Sequence, residues 1–112
     1  MIRIVASGYN CQQYVKKCID SVVAQTYKDW KLYVIDDGST DDTRLEIINH
    51  DDLRISSFSF GKNMGAAYRR FQMINTFQGN DIVLLLGLDD ELLPNCLETV
   101  IKQYENGRWM TY

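Results

Sequence analysis

Two acidic clusters could carry chemistry in this chain. In Val34-Ile35-Asp36-Asp37-Gly38-Ser39-Thr40-Asp41-Asp42-Thr43, a hydrophobic strand runs into two carboxylates, a glycine turn and a Ser/Thr/Asp cluster. In Gly87-Leu88-Asp89-Asp90-Glu91, three acids follow the apolar run Ile82 to Leu86. An ionised carboxylate only accepts hydrogen bonds, so Asp36 and Asp37 suit a nucleobase N–H or ribose hydroxyls. A tight turn at Asp37-Gly38, capped by Asp36, accounts for one aspartate better than for two. Three acids after a buried strand are costly unless solvated, hydrogen-bonded or bound to a cation. Magnesium and manganese take oxygen ligands, often one or two carboxylates plus substrate phosphates. Asp89 and Asp90 are therefore candidate ligands of a divalent metal that bridges the protein to a diphosphate. A solvated acidic turn ahead of a helix at Pro94 is the alternative. The Asp36–Asp37 pair at a neighbouring strand end favours the metal.

Two further groups surround these clusters. Ser7, Tyr9 and Asn10 follow the first strand. A tyrosine ring there can stack on a base, and Ser7 can offer a hydroxyl; a half-buried ring and a helix cap are the plain alternatives. Lys62, Asn63, Gly65, Arg69 and Arg70 follow the third strand. A cation near a helix N-terminus can pair with a diphosphate. Arg69 reads better as part of a solvated helix face, and Arg70 reads either way. His50, the one histidine, sits at an expected helix end without partners for nucleophilic catalysis. Neither a phosphate-cradling Gly-x-x-x-x-Gly-Lys-Ser/Thr loop nor a dinucleotide fingerprint is present.

The elements that must position these residues alternate along the chain. Strands are expected at Ile2 to Ala6, Trp30 to Ile35, Ile55 to Phe60 and Ile82 to Leu86, the last apolar on both faces like a central parallel strand. The beginning of a fifth is expected at Trp109 to Tyr112. Tyr14/Val15, Cys18/Ile19 and Val22/Val23 recur at helical spacing, with Asn10 and Gln13 as a capping pair. A second helix is expected from Thr40 to about His50, capped by Ser39 or Thr40, with Leu45 and Ile48 on one face. Ala67, Phe71 and Ile74 mark a third. A fourth starts at Pro94, buries Leu97, Val100, Ile101 and Tyr104, and stops at Asn106-Gly107. This order implies an α/β fold, a three-layer sandwich with a mainly parallel sheet. Right-handed crossovers bring the four strand ends, with their polar and glycine residues, to one rim.

The 112 residues fit one domain, and 46% hydrophobic content supplies a core. Net charge is −3 with no basic stripe, which argues against nucleic-acid partners. An odd cysteine count (Cys11, Cys18 and Cys96) without a Cys-x-x-Cys pair argues against a disulfide framework or zinc and for a reducing, cytoplasmic setting. Cys11 and Cys18, seven apart, read as core residues. No apolar run is long enough to span a bilayer; peripheral membrane contact stays open.

The Asp36-Asp37-Gly38-Ser39 segment, Gln25-Thr26-Tyr27, Tyr9-Asn10, Asn63-Met64-Gly65 and Leu93-Pro94 together resemble the family 2 glycosyltransferases, over nearly the whole chain. The resemblance implies a Rossmann-like, nucleotide-sugar-binding GT-A half covering 1–112, and a role in polysaccharide or glycan biosynthesis. It implies inverting transfer of a sugar from a nucleoside diphosphate donor, UDP-sugar as the family-level guess, to a glycan, lipid or protein acceptor, assisted by manganese or magnesium. Asp37 inherits the base contact, and Ser7, Tyr9, Asn10, Asp36, Asn63 and Arg70 fall at donor-binding positions. Anchored on Leu93-Pro94, the second aspartate of the family's Asp-x-Asp signature falls on Asp89 and the first on Gly87, a departure that makes Asp90 the adjacent candidate. The first loop lacks the proline many members carry. The family's general base lies downstream of these residues, so the chain is expected to be shortened at its C-terminus, to bind donor and to need more for turnover. A receiver-type signalling domain and a nucleotidyltransferase are the rivals. The first needs an acid pair after the first strand and the second a glycine-rich basic loop there, where this chain has Ser7-Gly8.

Overall fold

The computed structural model describes residues 1–79 and 81–105. Strands and helices alternate: β1 (Ile2–Gly8), α1 (Val15–Val23), β2 (Trp30–Asp37), α2 (Thr43–Ile48), β3 (Ile55–Phe60), α3 (Ala66–Ile74), β4 (Ile82–Gly87) and α4 (Cys96–Glu105). The four strands form one sheet, β3-β2-β1-β4, with every pair parallel. The expected α/β fold with its parallel sheet is present. β4, expected at the centre, is an outer strand of the described sheet; β1 takes the middle. The expected fifth strand and the Asn106-Gly107 stop lie outside the described residues.

Strand alternation divides the core into two layers. Ile2, Ile4 and Ala6 of β1, with Leu32, Val34, Leu84 and Leu86, pack against Val15, Cys18, Ile19 and Val22 of α1, Ile47 of α2, and Leu97 and Val100 of α4. Val5 and Ile35 point the other way, onto Met73 of α3, flanked by Tyr33, Phe60, Phe77, Val83 and Leu85. Burying each such large aliphatic side chain stabilises the fold by about 1.5–3 kcal/mol before entropy is counted.

Several helix faces differ from expectation. α2 has only six residues and buries Thr43 and Ile47, while Leu45 and Ile48 are each 57% exposed. α3 buries Arg69 and Met73, whereas Phe71 is 66% exposed. α4 buries Leu97 and Val100 as expected, but Tyr104 is exposed and Pro94 lies ahead of the first turn. α1 begins at Val15 without a side-chain cap.

Arg69, expected on a solvated face, instead docks α3 onto the sheet. Its Nε donates to Asp37 Oδ1 at 2.8 Å, with the two side chains 6% and 3% exposed. Its Nη2 donates to Lys62 O at 2.6 Å and its Nη1 to Gln72 Oε1 at 3.1 Å. The guanidinium lies 3.8 Å from the Phe60 ring centroid. Met64 N and Gly65 N also donate to Asp37, at 3.0 Å and 2.8 Å. Burial pushes the Asp37 carboxyl up, but these bonds from Met64, Arg69 and Gly65, with the Arg69 charge, outweigh it and hold it below the ordinary 3.8.

Gly38 closes the end of β2 at φ 75°. A methyl group there would also lie 2.6 Å from Asn63 N and Lys62 C. Gly38→Ala combines left-handed strain with a backbone clash and should cost about 2–4 kcal/mol. Urea denaturation measures it; an unchanged midpoint would show that the 61–65 turn moves aside freely. Asp37→Asn leaves Arg69 buried without its counter-charge and should cost about 3–5 kcal/mol at neutral pH. A carboxyl held low in the folded state adds stability above its unfolded value and loses it as pH falls through the folded value. The Asp37 chain should therefore lose stability below about pH 4 more steeply than Asp37→Asn does. Denaturation curves over that range decide it, and identical slopes would mean that Asp37 is not held low.

Candidate functional site

The C-terminal ends of the strands meet at one rim because all four run the same way. In register, Ser7 lies beside Ile35 and Gly87, Gly8 beside Asp36, and Asp37 beside Phe60. β1 and β2 run further than expected, so Asp36 and Asp37 are the last two strand residues rather than loop residues. Strand alternation then sends them to opposite faces. Asp36 is buried and accepts from Ser39 N at 3.0 Å. Asp37 faces α3 and Arg69.

The loop after β1 is tied to the loop after β2. Asn10, at φ 50°, does not cap α1. Its Oδ1 accepts from Thr40 N at 2.8 Å and Asp41 N at 3.4 Å, and its own N donates to Ser39 Oγ at 2.9 Å. Cys11 N donates to Thr43 Oγ1 at 2.9 Å. Neither Ser39 nor Thr40 caps α2; Asp41 Oδ1 accepts from Thr43 N at 2.9 Å instead. Tyr9 is exposed at the rim, as is Asn63. Arg70 is half-buried, and its Nε has no hydrogen-bond partner among the described residues. Ser7 is buried, and its hydroxyl likewise lacks a partner.

The segment after β4 is held by polar clips that sequence reasoning missed. Gln25, fully buried, donates to Ser21 O and Leu93 O at 3.0 Å and 2.7 Å and accepts from Leu97 N at 2.9 Å. Ser21 Oγ accepts from Leu92 N at 3.0 Å. Leu88 is buried, and its N donates to Ser7 O at 3.1 Å. A single amide at a helix end, followed by Thr26-Tyr27, was the available signal. Between these anchors Asp89 and Asp90 stand exposed.

The carboxylates of Asp89 and Asp90 converge. A methyl group on Gly87 would lie 2.7 Å from Asp89 Oδ1 and 2.9 Å from Asp90 Oδ2. Both therefore fold over the side of Gly87 that a side chain would occupy. That is the sheet face toward which Ser7, the register partner of Gly87, directs its unpartnered hydroxyl. Among the described residues no group of three or more His, Cys, Asp or Glu forms a preformed metal cage. Two exposed carboxylates with open surroundings nonetheless fit a hard cation that keeps waters and substrate oxygens as its other ligands.

Negative charge at the rim reaches the nearby thiols. Burial pushes Cys11 up to about 11, against a lowering bond from Thr43, with Asp41, Asp89 and Asp36 adding to the rise. Burial also pushes Cys18 up to about 12, helped by Cys11, Asp90, Asp89 and Glu91. Both are core thiols rather than nucleophiles. A separate apolar groove of about 400 Å³ lies between α3 and the β2–β3 strands, walled by Ile35, Phe58, Phe60 and Met73, with Arg69 on its edge. Neither Asp89 nor Asp90 lines it.

Comparisons with known proteins bear on this arrangement. The chain is 33% identical over 101 residues to the Escherichia coli UDP-Glc:alpha-D-GlcNAc-diphosphoundecaprenol beta-1,3-glucosyltransferase WfgD, covering 90% of this chain and 40% of that protein. It is 31% identical over 107 residues to a Pasteurella multocida chondroitin synthase, covering 93% of this chain and 11% of that one. The chain thus spans less than half the length of these relatives. Its backbone superposes on S. aureus TarS 1-349 in complex with UDP-GlcNAc with a TM-score of 0.81 at 22% identity, covering 94% of this chain and 31% of that one. It superposes on the Pyrobaculum calidifontis mannosyltransferase PcManGT, in complex with GDP-Man and Mn2+, with a TM-score of 0.68 at 22% identity, over 80% of this chain and 28% of that one. The fold is that of the GT-A glycosyltransferases. The sequence profile of the glycosyl transferase family 2 matches residues 4–109, and the chain belongs to that family.

Proposed function

We propose that this chain forms the donor half of an enzyme that moves a sugar from a nucleoside diphosphate, UDP first, to an acceptor hydroxyl, with inversion by family resemblance. The observation that carries the reading is the convergence of Asp89 and Asp90 over Gly87, beside the unpartnered Ser7 hydroxyl. Asp89 and Asp90 would hold manganese or magnesium, with Asp90 taking the space beside Gly87 where the family's first aspartate is missing. When bound, such an ion supplies positive charge against the diphosphate. Tyr9 offers its ring to the base, and Asp37 is the acceptor for the base N–H. Asp36 and Asn10 shape the ribose side by fixing the 38–41 loop. Arg70, whose Nε is unpartnered, and Asn63 border the diphosphate side. The complexes of TarS with UDP-GlcNAc and of PcManGT with GDP-Man and Mn2+ support this assignment of ligand class.

No residue of the chain is assigned as the general base. The chain on its own is expected to bind donor without turning it over, and steady sugar transfer by the isolated chain would overturn that expectation.

Titration calorimetry with uridine diphosphate, with and without manganese, tests the donor site. Binding should strengthen with manganese, and Asp89→Ala should remove about tenfold or more of that gain. Gly87→Ala keeps both carboxylates but crowds them apart, and should weaken manganese binding by about tenfold. A folded chain that binds no nucleoside diphosphate would sink the reading. Binding that ignores both manganese and Asp89 would remove the metal from it.

A further inference from the structure

Arg69 occupies one side of the carboxylate that is assigned to the base. An ionised carboxylate has about four lone-pair positions, two on each oxygen. Oδ1 of Asp37 already accepts from Met64 N at 3.0 Å and from Arg69 Nε at 2.8 Å. Oδ2 accepts from Gly65 N at 2.8 Å. One acceptor position is left, on Oδ2. The Arg69 side chain cannot swing aside cheaply, because Lys62 O, Gln72 Oε1 and the Phe60 ring hold the rest of its guanidinium.

We infer that Arg69 is a specificity-determining residue: by filling Asp37 Oδ1 it restricts the donor base to one that presents a single N–H. The inference rests on the reading that Asp37 meets the base. Uracil presents one imide N–H between two carbonyls, and a single acceptor serves it. Guanine presents N1–H and a 2-amino N–H side by side, an edge that pairs with both oxygens of a carboxylate. With Oδ1 filled, the 2-amino group is left without an acceptor beside a carboxylate that is only 3% exposed, and an unpaired buried donor is costly. Hypoxanthine has the same purine frame as guanine but only the N1–H. The geometry therefore separates two purines that differ by one amino group.

The test compares uridine, inosine and guanosine diphosphates with manganese, by calorimetry on the full chain and on Arg69→Met. The methionine keeps an unbranched stem beside Phe60 and removes every donor. On the unaltered chain, inosine diphosphate should bind about 5- to 100-fold tighter than guanosine diphosphate, and uridine diphosphate should also exceed guanosine diphosphate. Arg69→Met should close or invert the gap between the two purines, because Oδ1 becomes available. A structural role alone would weaken all three nucleotides together and leave their ratios unchanged, and that result overturns the inference. So does guanosine diphosphate binding the unaltered chain as tightly as inosine diphosphate, a comparison that decides the matter even if Arg69→Met does not fold. Binding of none of the three defeats the donor-site reading itself, and this inference with it.

Discussion

Every strand of the described sheet runs in the same direction, and the rest of the molecule follows from that constraint. A parallel neighbour cannot be reached by a tight hairpin; the chain must cross back over a face before it re-enters the sheet. Each crossing here is made by a helix, so each strand finishes at the same rim and hands over to a loop there. Ser7, the Asp36–Asp37 pair and Gly87 are far apart in sequence yet sit within one or two register positions of each other. An antiparallel arrangement of the same segments would send half of these residues to the opposite end. The crossovers also fix which face each residue serves, because alternation puts Asp36 and Asp37 on opposite sides.

Concentrating carboxylates at one rim has an electrostatic cost, and the structure meets it differently at each strand. Asp36 is buried against a backbone N–H of its own turn. Asp41 is satisfied by Thr43. Asp37 is neutralised by a buried guanidinium that comes from the next helix. Asp89 and Asp90 stay in solvent. The acids of β2 are thus largely committed to holding the protein together, and the uncommitted charge lies at the end of β4. That asymmetry leaves the carboxylates at the end of β4 in solvent and those at the end of β2 in internal hydrogen bonds.

The strands were legible because their signal is local. Runs such as Ile82 to Leu86 are apolar at every position and mark a strand without knowledge of their neighbours. The short helices were not legible in the same way. α2 makes fewer than two turns, too few for a 3.6-residue period to separate Ile47 from Ile48 or Leu45, so sequence spacing points to the exposed pair as the buried one. The roles of Arg69 and Asn10 depend on partners about thirty residues away. An arginine on a helix is solvated by default, and only the approach of Asp37 across the sheet makes burial tolerable. The spacing of Arg69 to Met73, one helical turn apart on the inward face, was the one local hint. The acidic clusters themselves were legible, whereas the folding of Asp89 and Asp90 over the same side of Gly87 is a loop conformation that composition does not encode.

That conformation depends on support that is itself polar. A loop leaving the end of a sheet carries backbone groups that no strand satisfies. Here Leu88 N finds Ser7 O, Leu92 N finds Ser21 Oγ, and Leu93 O and Leu97 N are both taken by the buried amide of Gln25. Thr26 N adds Pro94 O. Leu88 and Leu92 are meanwhile sunk in the core on either side of the acids. The three charged residues Asp89, Asp90 and Glu91 are therefore suspended between two buried leucines, with the flanking backbone bonded to β1 on one side and to the end of α1 on the other. Two exposed like-charged side chains on a loose loop would repel each other and separate; the frame is what keeps Asp89 and Asp90 together beside Gly87. The clip from α1 gives the end of that helix a part in holding this loop, and Cys18 of the same helix donates from Sγ to Gly87 O at 3.7 Å.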